Sequence, residues 1–219
     1  MSPVYRHRYY RLMQEPARAS LLNDSADVAD LLVRLGRLAY AEPGDPSLTP
    51  TQWMVLRYFA RANRFSRTVS AFAAYHASTR GTASQSIKTL VESGYLSRTR
   101  SDADGRSARL DLTEKGCAAL EADPCRRLDA TLSALQPSQL TDLRRYLWQS
   151  TESMVRTGQC REFGTCRRCD HLRGEQGRSQ TGALSACKLL EAALGPDDLD
   201  QLCANFKPTS AGEQSASGA

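Results

Sequence analysis

The sequence TRGTASQSIKTLVESGYLSRTRSDADGRSARLDLT, residues 79–113, decides the fold of this chain. Its first half places apolar residues at the 3.6-residue spacing of a helix. Its second half predicts two short strands, 95–100 and 107–111, joined by a polar turn that contains Asp104-Gly105-Arg106. The stretch therefore predicts one helix followed by a two-stranded β-ribbon. The apolar face of that helix consists of Ala83, Ile87, Leu90 and Val91.

The opposite face of the same helix carries short hydroxyl, amide and cationic side chains. Side chains of these types reach the base edges and phosphates of DNA. A narrow minor groove also attracts guanidinium groups, which makes the arginine at the ribbon tip a candidate for that groove. The alternative is that this face is simply solvated. The candidate DNA-binding residues are Thr79, Arg80, Thr82, Gln85, Ser86, Lys88, Arg98 and Arg106.

Further helices are predicted on both sides of this stretch. Thr49 is a candidate N-cap with proline at the first helical position, and the helix it starts should run to about Asn63. We expect that helix to bury Trp53, Val55, Leu56 and Phe59. The remaining predicted helices span 25–40, 69–77 and 113–135 with an interruption at Pro124, and a long one begins at Pro137.

The order of these elements predicts the class of fold. Three helices followed by a β-ribbon, with short connections, form a winged helix-turn-helix, whose second helix of the pair enters the major groove. The fold class is therefore mainly α with a small β-wing. Four segments follow from the composition: a flexible basic arm (1–24), the winged-helix region (25–157), a cysteine-rich region (158–207) and a disordered tail (208–219).

Composition bounds the function less sharply. The 219 residues carry a formal charge of +5 and a pI of about 8.9, a mild basic excess that is weak support for a nucleic-acid partner. No apolar run reaches the roughly 20 residues of a membrane helix, and the N-terminus lacks the pattern of a signal peptide. We therefore expect a cytoplasmic protein with no membrane partner. In a reducing compartment its seven cysteines favour metal ligands or reactive thiols over disulfides.

At this point the sequence resembles the MarR family of bacterial transcriptional regulators. The resemblance covers roughly residues 25–157 and is most specific at the wing and its exit. It is carried by LTPTQWMVLRYFA (48–60), by Gly94-Tyr95-Leu96, by the wing tip Asp104-Gly105-Arg106 and by Leu112-Thr113-Glu114-Lys115-Gly116. Gly81 departs from the family, which often has a proline or a bulkier residue there, as does the basic N-terminal arm.

The resemblance implies several properties beyond the fold. It implies a homodimer, with the first and last helices of each subunit forming a helical dimerisation layer. It implies a regulator, usually a repressor, that binds a pseudo-palindromic operator in double-stranded DNA and has no enzymatic activity. It also allows a small-molecule effector between the dimerisation layer and the DNA-binding lobe.

A second constellation lies near the C-terminus, where five of the seven cysteines occur. A C-x2-C turn lets two thiolates converge on one ion, and two distant cysteines can complete a tetrahedral set. Cys187 and Cys203 lie in segments with a helical pattern, so we expect two short helices there. Cys117 and Cys125 are expected to be buried thiols without a role. The preferred ligands are Cys166, Cys169, Cys187 and Cys203, with Cys160 and His171 as spare candidates.

The nature of this site stays open at the level of sequence. Zinc is the usual ion of a four-thiolate structural site, whereas single cysteines spaced by 15 to 17 residues also suit an iron–sulfur cluster. A third possibility is a metal-free switch with a low-pKa cysteine beside Arg167 and Arg168. The site would sense redox state or iron, or serve as a purely structural zinc tail. A thiol oxidoreductase using Cys166 and Cys169 is the alternative from another class, but no strands are expected around these residues.

Overall fold

The computed structural model describes residues 25–40, 47–100, 108–157, 161–174 and 185–209. The chain divides into two compact units, 1–43 and 44–219. The arm at 1–24, the wing tip with Arg106, Cys160 and all but the first two residues of the predicted tail lie outside the described residues.

In the first unit, helix α1 spans Ser25–Leu38 and confirms the predicted N-terminal helix. Its apolar side chains, among them Val28, Leu31 and Leu35, are exposed. An apolar stripe of this kind is typical of a helix that packs against another surface.

The second unit begins with three helices, each of which starts after a threonine cap. The hydroxyl oxygens of Thr49, Thr68 and Thr79 accept hydrogen bonds from the backbone N–H groups three residues later, at 3.1 to 3.3 Å. Gln52 completes a capping box at the first of these helices. The three helices are α2 (Pro50–Arg61), α3 (Val69–Tyr75) and α4 (Arg80–Glu92).

The core of this unit lies between α2, α3 and α4. Tyr58, Phe59 and Phe72 form a cluster of rings with centroids 5.2 to 6.4 Å apart. The four residues that α2 was predicted to bury are all buried, and so are Ala83, Ile87 and Leu90 of α4. Because these faces are fixed in the core, the opposite face of α4 is turned to solvent.

Two antiparallel strands follow α4, as predicted. Strand β1 spans Leu96–Arg100 and β2 spans Ala108–Leu112, in register Leu96↔Leu112. Gly94 has φ +74°, a conformation that favours glycine and allows the sharp exit from α4. After β2, the hydroxyl of Thr113 donates to the carbonyl oxygen of Gly94 at 2.7 Å and so fastens the end of the ribbon to the end of α4.

Three more helices complete this part of the chain: α5 (Glu114–Glu121), α6 (Cys125–Ser133) and α7 (Pro137–Thr157). The predicted interruption at Pro124 is confirmed. The prediction that Cys117 is buried is wrong, and Cys125 is half-buried. The packed residue of α5 is Gly116, and Cys117 follows it about 100° around the helix, on the outer face. Among the described helices, none combines the length and apolarity that a membrane crossing requires.

The C-terminal part folds as a small antiparallel sheet in the order β3-β4-β5, with β3 at Leu172–Arg173, β4 at Ser185–Cys187 and β5 at Ala192–Leu194. A 3₁₀ turn at Cys166–Arg168 precedes it, and the short helix α8 (Pro196–Asp200) follows it.

The helix predicted at Cys187 and the expected lack of strands are therefore wrong. The segment predicted as a helix around Cys203 is helical only at Pro196–Asp200 and ends before the cysteine. Cys187 lies in β4, and Cys203 forms an isolated bridge with Gly164. Short apolar runs fit both periodicities, and here cross-strand pairing decides between them.

Candidate DNA-binding surface and cysteine cluster

Six of the eight residues predicted to contact DNA lie on α4 or at its N-cap. Thr79, Arg80, Thr82, Gln85 and Lys88 are exposed, whereas Ser86 is half-buried. The solvent face of α4 therefore offers hydroxyl, amide and cationic groups together.

Two of these side chains also have structural partners. Thr79 caps α4, and its hydroxyl oxygen lies 2.9 Å from that of Thr82. The ammonium of Lys88 lies 3.7 Å from the carboxylate of Glu92, one turn further along. Both residues of that pair are exposed, so the ion pair is weak and Lys88 remains accessible to phosphate.

Arg98 is exposed on β1, opposite Leu110 of β2. It follows α4 directly in the chain and presents a cation on the ribbon. Its predicted companion Arg106 lies outside the described residues.

An ion-pair cluster that sequence reasoning missed holds the base of the ribbon. Asp111 of β2 lies 2.5 Å from Nη1 of Arg67 and 2.9 Å from Nε of Arg109. Partial burial by itself raises the pKa of the Asp111 carboxyl, but hydrogen bonds from Arg109 and Arg67, and their charges, hold this pKa below its usual value. Asp111 is therefore a stable anion. Arg67 was visible in the sequence as one of a series of arginines, but nothing local indicated its partner 44 residues away.

The four preferred cysteines come together in the C-terminal part of the fold. All four are free thiols and are buried, with exposures of 6 to 9%. Cys166 and Cys169 open and close the 3₁₀ turn, where the Cys169 N–H donates to the Cys166 carbonyl at 3.1 Å. Cys187 and Cys203 are brought beside this turn by pairing with Leu172 and Gly164.

The neighbouring thiols influence the ionisation of Cys166. Burial raises the pKa of the Cys166 thiol to about 12, and negative charge at Cys203, Cys169 and Cys187 acts in the same direction. For Cys166 itself, this direction is the opposite of the low pKa that a metal-free switch beside Arg167 and Arg168 would use. The arginines invoked for that switch have other partners: Arg167 pairs with Asp200 at 2.6 Å, and Arg168 lies over the ring of Trp148.

Backbone donors point at two of the sulfur atoms. The N–H of Asn205 donates to Sγ of Cys203 at 3.4 Å, and the N–H of Lys207 donates to Sγ of Cys169 at 3.5 Å. Hydrogen bonds of this kind favour a thiolate, the form that binds a metal. The donor types, the burial and these bonds all fit a soft metal ion or a cluster.

The spare ligands differ in standing. Cys160 lies outside the described residues. His171 is half-buried, and its Nδ1 is a buried atom without a hydrogen-bond partner in the described part of the chain. This nitrogen is therefore available as a metal ligand. As the side chains stand, the described residues contain no group of three or more His, Cys, Asp or Glu that already forms a metal-binding arrangement. Binding would therefore require the thiols to converge further.

The cysteine-rich part packs directly on the winged helix, at the α2–α3 connection (residues 62–68). The Asn63 N–H donates to the Leu202 carbonyl at 2.9 Å, and the Leu202 N–H donates to the Arg61 carbonyl at 2.7 Å. The Ala204 N–H donates to the hydroxyl oxygen of Ser66 at 2.8 Å. No local signal in the sequence indicated this contact, because its two sides are about 140 residues apart.

A cavity of about 520 Å³ adjoins the same junction. It lies between the second half of α7, the ends of α2 and α3, and the residues around the 3₁₀ turn. Its lining combines aromatic rings with arginines. The residues that characterise it are Arg61, Tyr75, Trp148, Phe163, Arg168 and Phe206.

Three helices followed by an antiparallel ribbon define a winged helix-turn-helix protein. The polar face of α4, the last of the three helices, is exposed. Within this class, residues 47–107 match the model of the MarR family. No curated protein matches the chain.

Two solved structures have the same fold. One is a MarR transcriptional regulator from Methanosarcina mazei Go1, with 24% identity over 61% of this chain and 97% of that chain, and a TM-score of 0.51. The other is a complex of MepR from S. aureus with DNA, with 19% identity over 59% of this chain and 98% of that chain, and a TM-score of 0.51. The family match covers the segment that contains α2, α3, α4 and strand β1, and the two solved structures share the winged-helix fold.

Proposed function

We propose that the protein is a sequence-specific DNA-binding transcriptional regulator of the MarR type. The observation that carries this proposal is the exposed polar face of α4. This helix packs against α2 and α3, is followed by the β-ribbon, and lies within the segment that matches the MarR family. A helix presented in this way enters the major groove, where Gln85 and Arg80 reach base edges. Thr79, Thr82, Ser86 and Lys88 contact the backbone or flanking bases.

The ribbon supplies the second contact in this proposal. Arg98 neutralises phosphate, and Arg106 enters the minor groove. Replacement of Arg106 by Ala should weaken DNA binding by roughly 1–3 kcal/mol. An unchanged affinity would remove Arg106 from the interface without affecting the role of α4.

The oligomeric state and the direction of regulation belong to the same proposal. The exposed apolar side chains of α7, among them Leu140, Leu147 and Met154, support a homodimer that buries them. A dimer with two recognition helices binds a pseudo-palindromic operator with half-sites about one helical turn apart. We expect repression. Sedimentation of the full chain as a monomer at micromolar concentration would contradict the dimer.

The four buried thiols are proposed to hold zinc or an iron–sulfur cluster that reports redox state or iron. A bound metal stabilises thiolates, which the buried cluster otherwise disfavours. Anaerobic purification with an absorbance spectrum and metal analysis distinguishes the forms: iron with sulfide indicates a cluster, and about one zinc per chain indicates a zinc site. The variant Cys166→Ser with Cys203→Ser should lose the metal. A metal-free wild-type protein would contradict the proposal.

Two alternatives remain beside sensing. If the zinc site is purely structural, an oxidant should release the zinc only when the cysteine-rich part also unfolds. The thiol oxidoreductase is disfavoured because the strands around Cys166 and Cys169 are antiparallel and not part of a βαβ unit. Turnover of a disulfide substrate by the purified chain would revive it.

A small-molecule effector is proposed for the cavity of about 520 Å³ beside α7. Rings of Tyr75, Trp148 and Phe163 together with Arg168 suit a flat ligand with an anionic group. Replacement of Trp148 by Ala should abolish the response to such a ligand.

The central test is a mobility-shift titration of the full chain on the DNA upstream of its own gene at low salt. We expect a specific complex that Gln85→Ala weakens by about 1–3 kcal/mol. The control is Arg126→Ala on α6, an exposed side chain whose partner is Glu121. A wild-type chain that binds this DNA no better than random DNA would overturn the proposed function.

A further inference from the structure

The α2–α3 connection is a shared element of the winged helix and the cysteine-rich part. On one side it pairs with the strand-like segment around Leu202, through the backbone bonds of Asn63 and Arg61. Residues Ala62, Asn63 and Ser66 of the connection are fully buried. A rearrangement of the segment around Leu202 therefore cannot leave the connection in place, because close-packed interiors do not deform gradually.

Two side chains extend this contact to the thiols themselves. The ring of Phe65 packs against the cluster formed by Cys166, Cys187 and Leu194. The guanidinium of Arg64 lies over the Phe65 ring, pairs with Asp198 at 3.5 Å and donates to the Ala193 carbonyl. Arg64 and Phe65 thus attach the connection to strands β4 and β5 and to helix α8 of the cysteine-rich part.

On its other side the connection supports the DNA-binding elements. The carbonyl of Arg67 accepts a hydrogen bond from the Leu110 N–H of β2 at 2.9 Å, and its guanidinium pairs with Asp111. The next residue, Thr68, caps α3, the helix that packs on α4. Movement of the connection therefore reaches both the ribbon and the helix pair.

One buried group indicates that the packing at this junction is not optimal. The Asn63 side chain is 0% exposed, and neither its Oδ1 nor its Nδ2 has a hydrogen-bond partner among the described residues. A buried amide without partners is unfavourable, so the observed arrangement has an internal cost that a second arrangement can remove. A switching element needs two arrangements of similar free energy.

We propose that the α2–α3 connection transmits the state of the four thiols to the DNA-binding surface, with Arg64 and Phe65 as the positioning residues. The inference rests on the proposed DNA-binding function and names how that function is regulated. Because coupling between two sites is reciprocal, DNA binding also biases the state of the four thiols. The ribbon and α4 respond together, since one connection holds both.

A double-mutant cycle on the full chain tests this coupling. The affinity for the upstream DNA is measured by fluorescence anisotropy for the wild type and for Cys169→Ser with Cys203→Ser. Phe65 packs against Cys166 and Cys187, so this pair replaces the other two thiols of the proposed site and keeps the two that Phe65 contacts. The same pair is then measured in the Phe65→Ala background. Leu189→Ala, half-exposed in the β4–β5 turn, is the matched control.

The thiol substitutions should change the DNA affinity of the wild type by about five- to 150-fold. In the Phe65→Ala background this ratio should fall towards one, and in the Leu189→Ala background it should persist. If Phe65→Ala does not fold, Arg64→Ala replaces it, because the exposed Arg64 side chain leaves the core closed. An equal ratio in both backgrounds, or no effect of the thiol substitutions, overturns the inference. A wild type that does not bind DNA overturns the proposed function instead.

Discussion

The guanidinium of Arg67 and the carboxylate of Asp111 lie 2.5 Å apart and join the α2–α3 connection to strand β2 of the ribbon. Both side chains are about three-quarters buried. The pair is therefore better shielded from solvent than the exposed ion pairs made by α6 and α7, Arg126–Glu121 and Arg145–Asp142. Arg109 shares the same carboxylate. The position of the ribbon relative to the helix pair thus depends on one anion held by two cations.

The first prediction concerns acid. The pKa of Asp111 in the folded protein lies below its unfolded value, so its contribution to the free energy of unfolding is complete above the unfolded pKa and is lost as pH falls through the folded pKa. Asp111→Asn should therefore lower the stability at pH 7 by about 1 kcal/mol or more and flatten the loss of stability below about pH 4. Urea titrations between pH 2.5 and 7 measure this. Asp142→Asn, which removes an exposed pair with Arg145, is the control and should have little effect.

The second prediction concerns the exit from the ribbon. A Cβ on Gly116 would lie 2.2 Å from the carbonyl oxygen of Tyr95, a backbone atom that cannot turn away. Gly116→Ala should destabilise the fold by about 1–3 kcal/mol, seen as a lower Tm. In Gly81→Ala the new Cβ would meet Thr79 Oγ1 at an ordinary 3.8 Å, so this helix substitution should raise Tm slightly. Equal melting of the two variants would contradict the close approach.

The third prediction concerns the buried amide. Asn63→Leu removes two polar atoms that lack partners and keeps the number and branching of heavy side-chain atoms, so it should stabilise the protein by about 1 kcal/mol. Asn63→Asp, which places a charge at the same buried position, should destabilise it strongly. Thermal denaturation of the three proteins gives the comparison. A clear loss of stability in Asn63→Leu would mean that the amide does have a partner.

The fourth prediction separates the two kinds of DNA contact. Arg98→Ala should weaken binding to all sequences alike and reduce the slope of log affinity against log salt by about 1. Gln85→Ala should instead reduce the preference for the operator over random DNA, with little change in salt slope. Anisotropy titrations at several salt concentrations measure both. Arg126→Ala on α6, whose partner is Glu121, should change neither quantity.

Much of the winged helix could be predicted because its signals are local. The Thr49 cap and the apolar spacing of α4 act within a few residues, and both are found where they were predicted. The solvent-facing positions of Thr82, Gln85 and Lys88 follow from the same spacing. Their contact with DNA stays a prediction, as does the role of Arg106.

The cysteine-rich part shows where local signals fail. The run around Cys187 has apolar residues at helical spacing, yet it forms strands, because pairing with Leu172 on one side and Ala192 on the other satisfies its backbone. The predicted burial of Cys117 was wrong for a related reason, because only the packing of Gly116 determines which side of α5 faces inward.

The sequence by itself determined the helices and the ribbon of the winged-helix region and the polar face of α4, because caps, periodicity and spacing act over short distances along the chain. It also singled out the four cysteines that the fold buries. Tertiary structure alone decided that Arg67 meets Asp111 and that Phe65 packs against Cys166 and Cys187. These contacts join segments tens to more than a hundred residues apart, and they form because burial and charge pairing are satisfied only when the whole fold is assembled. The same packing places the cysteine cluster against the connection that supports the DNA-binding surface.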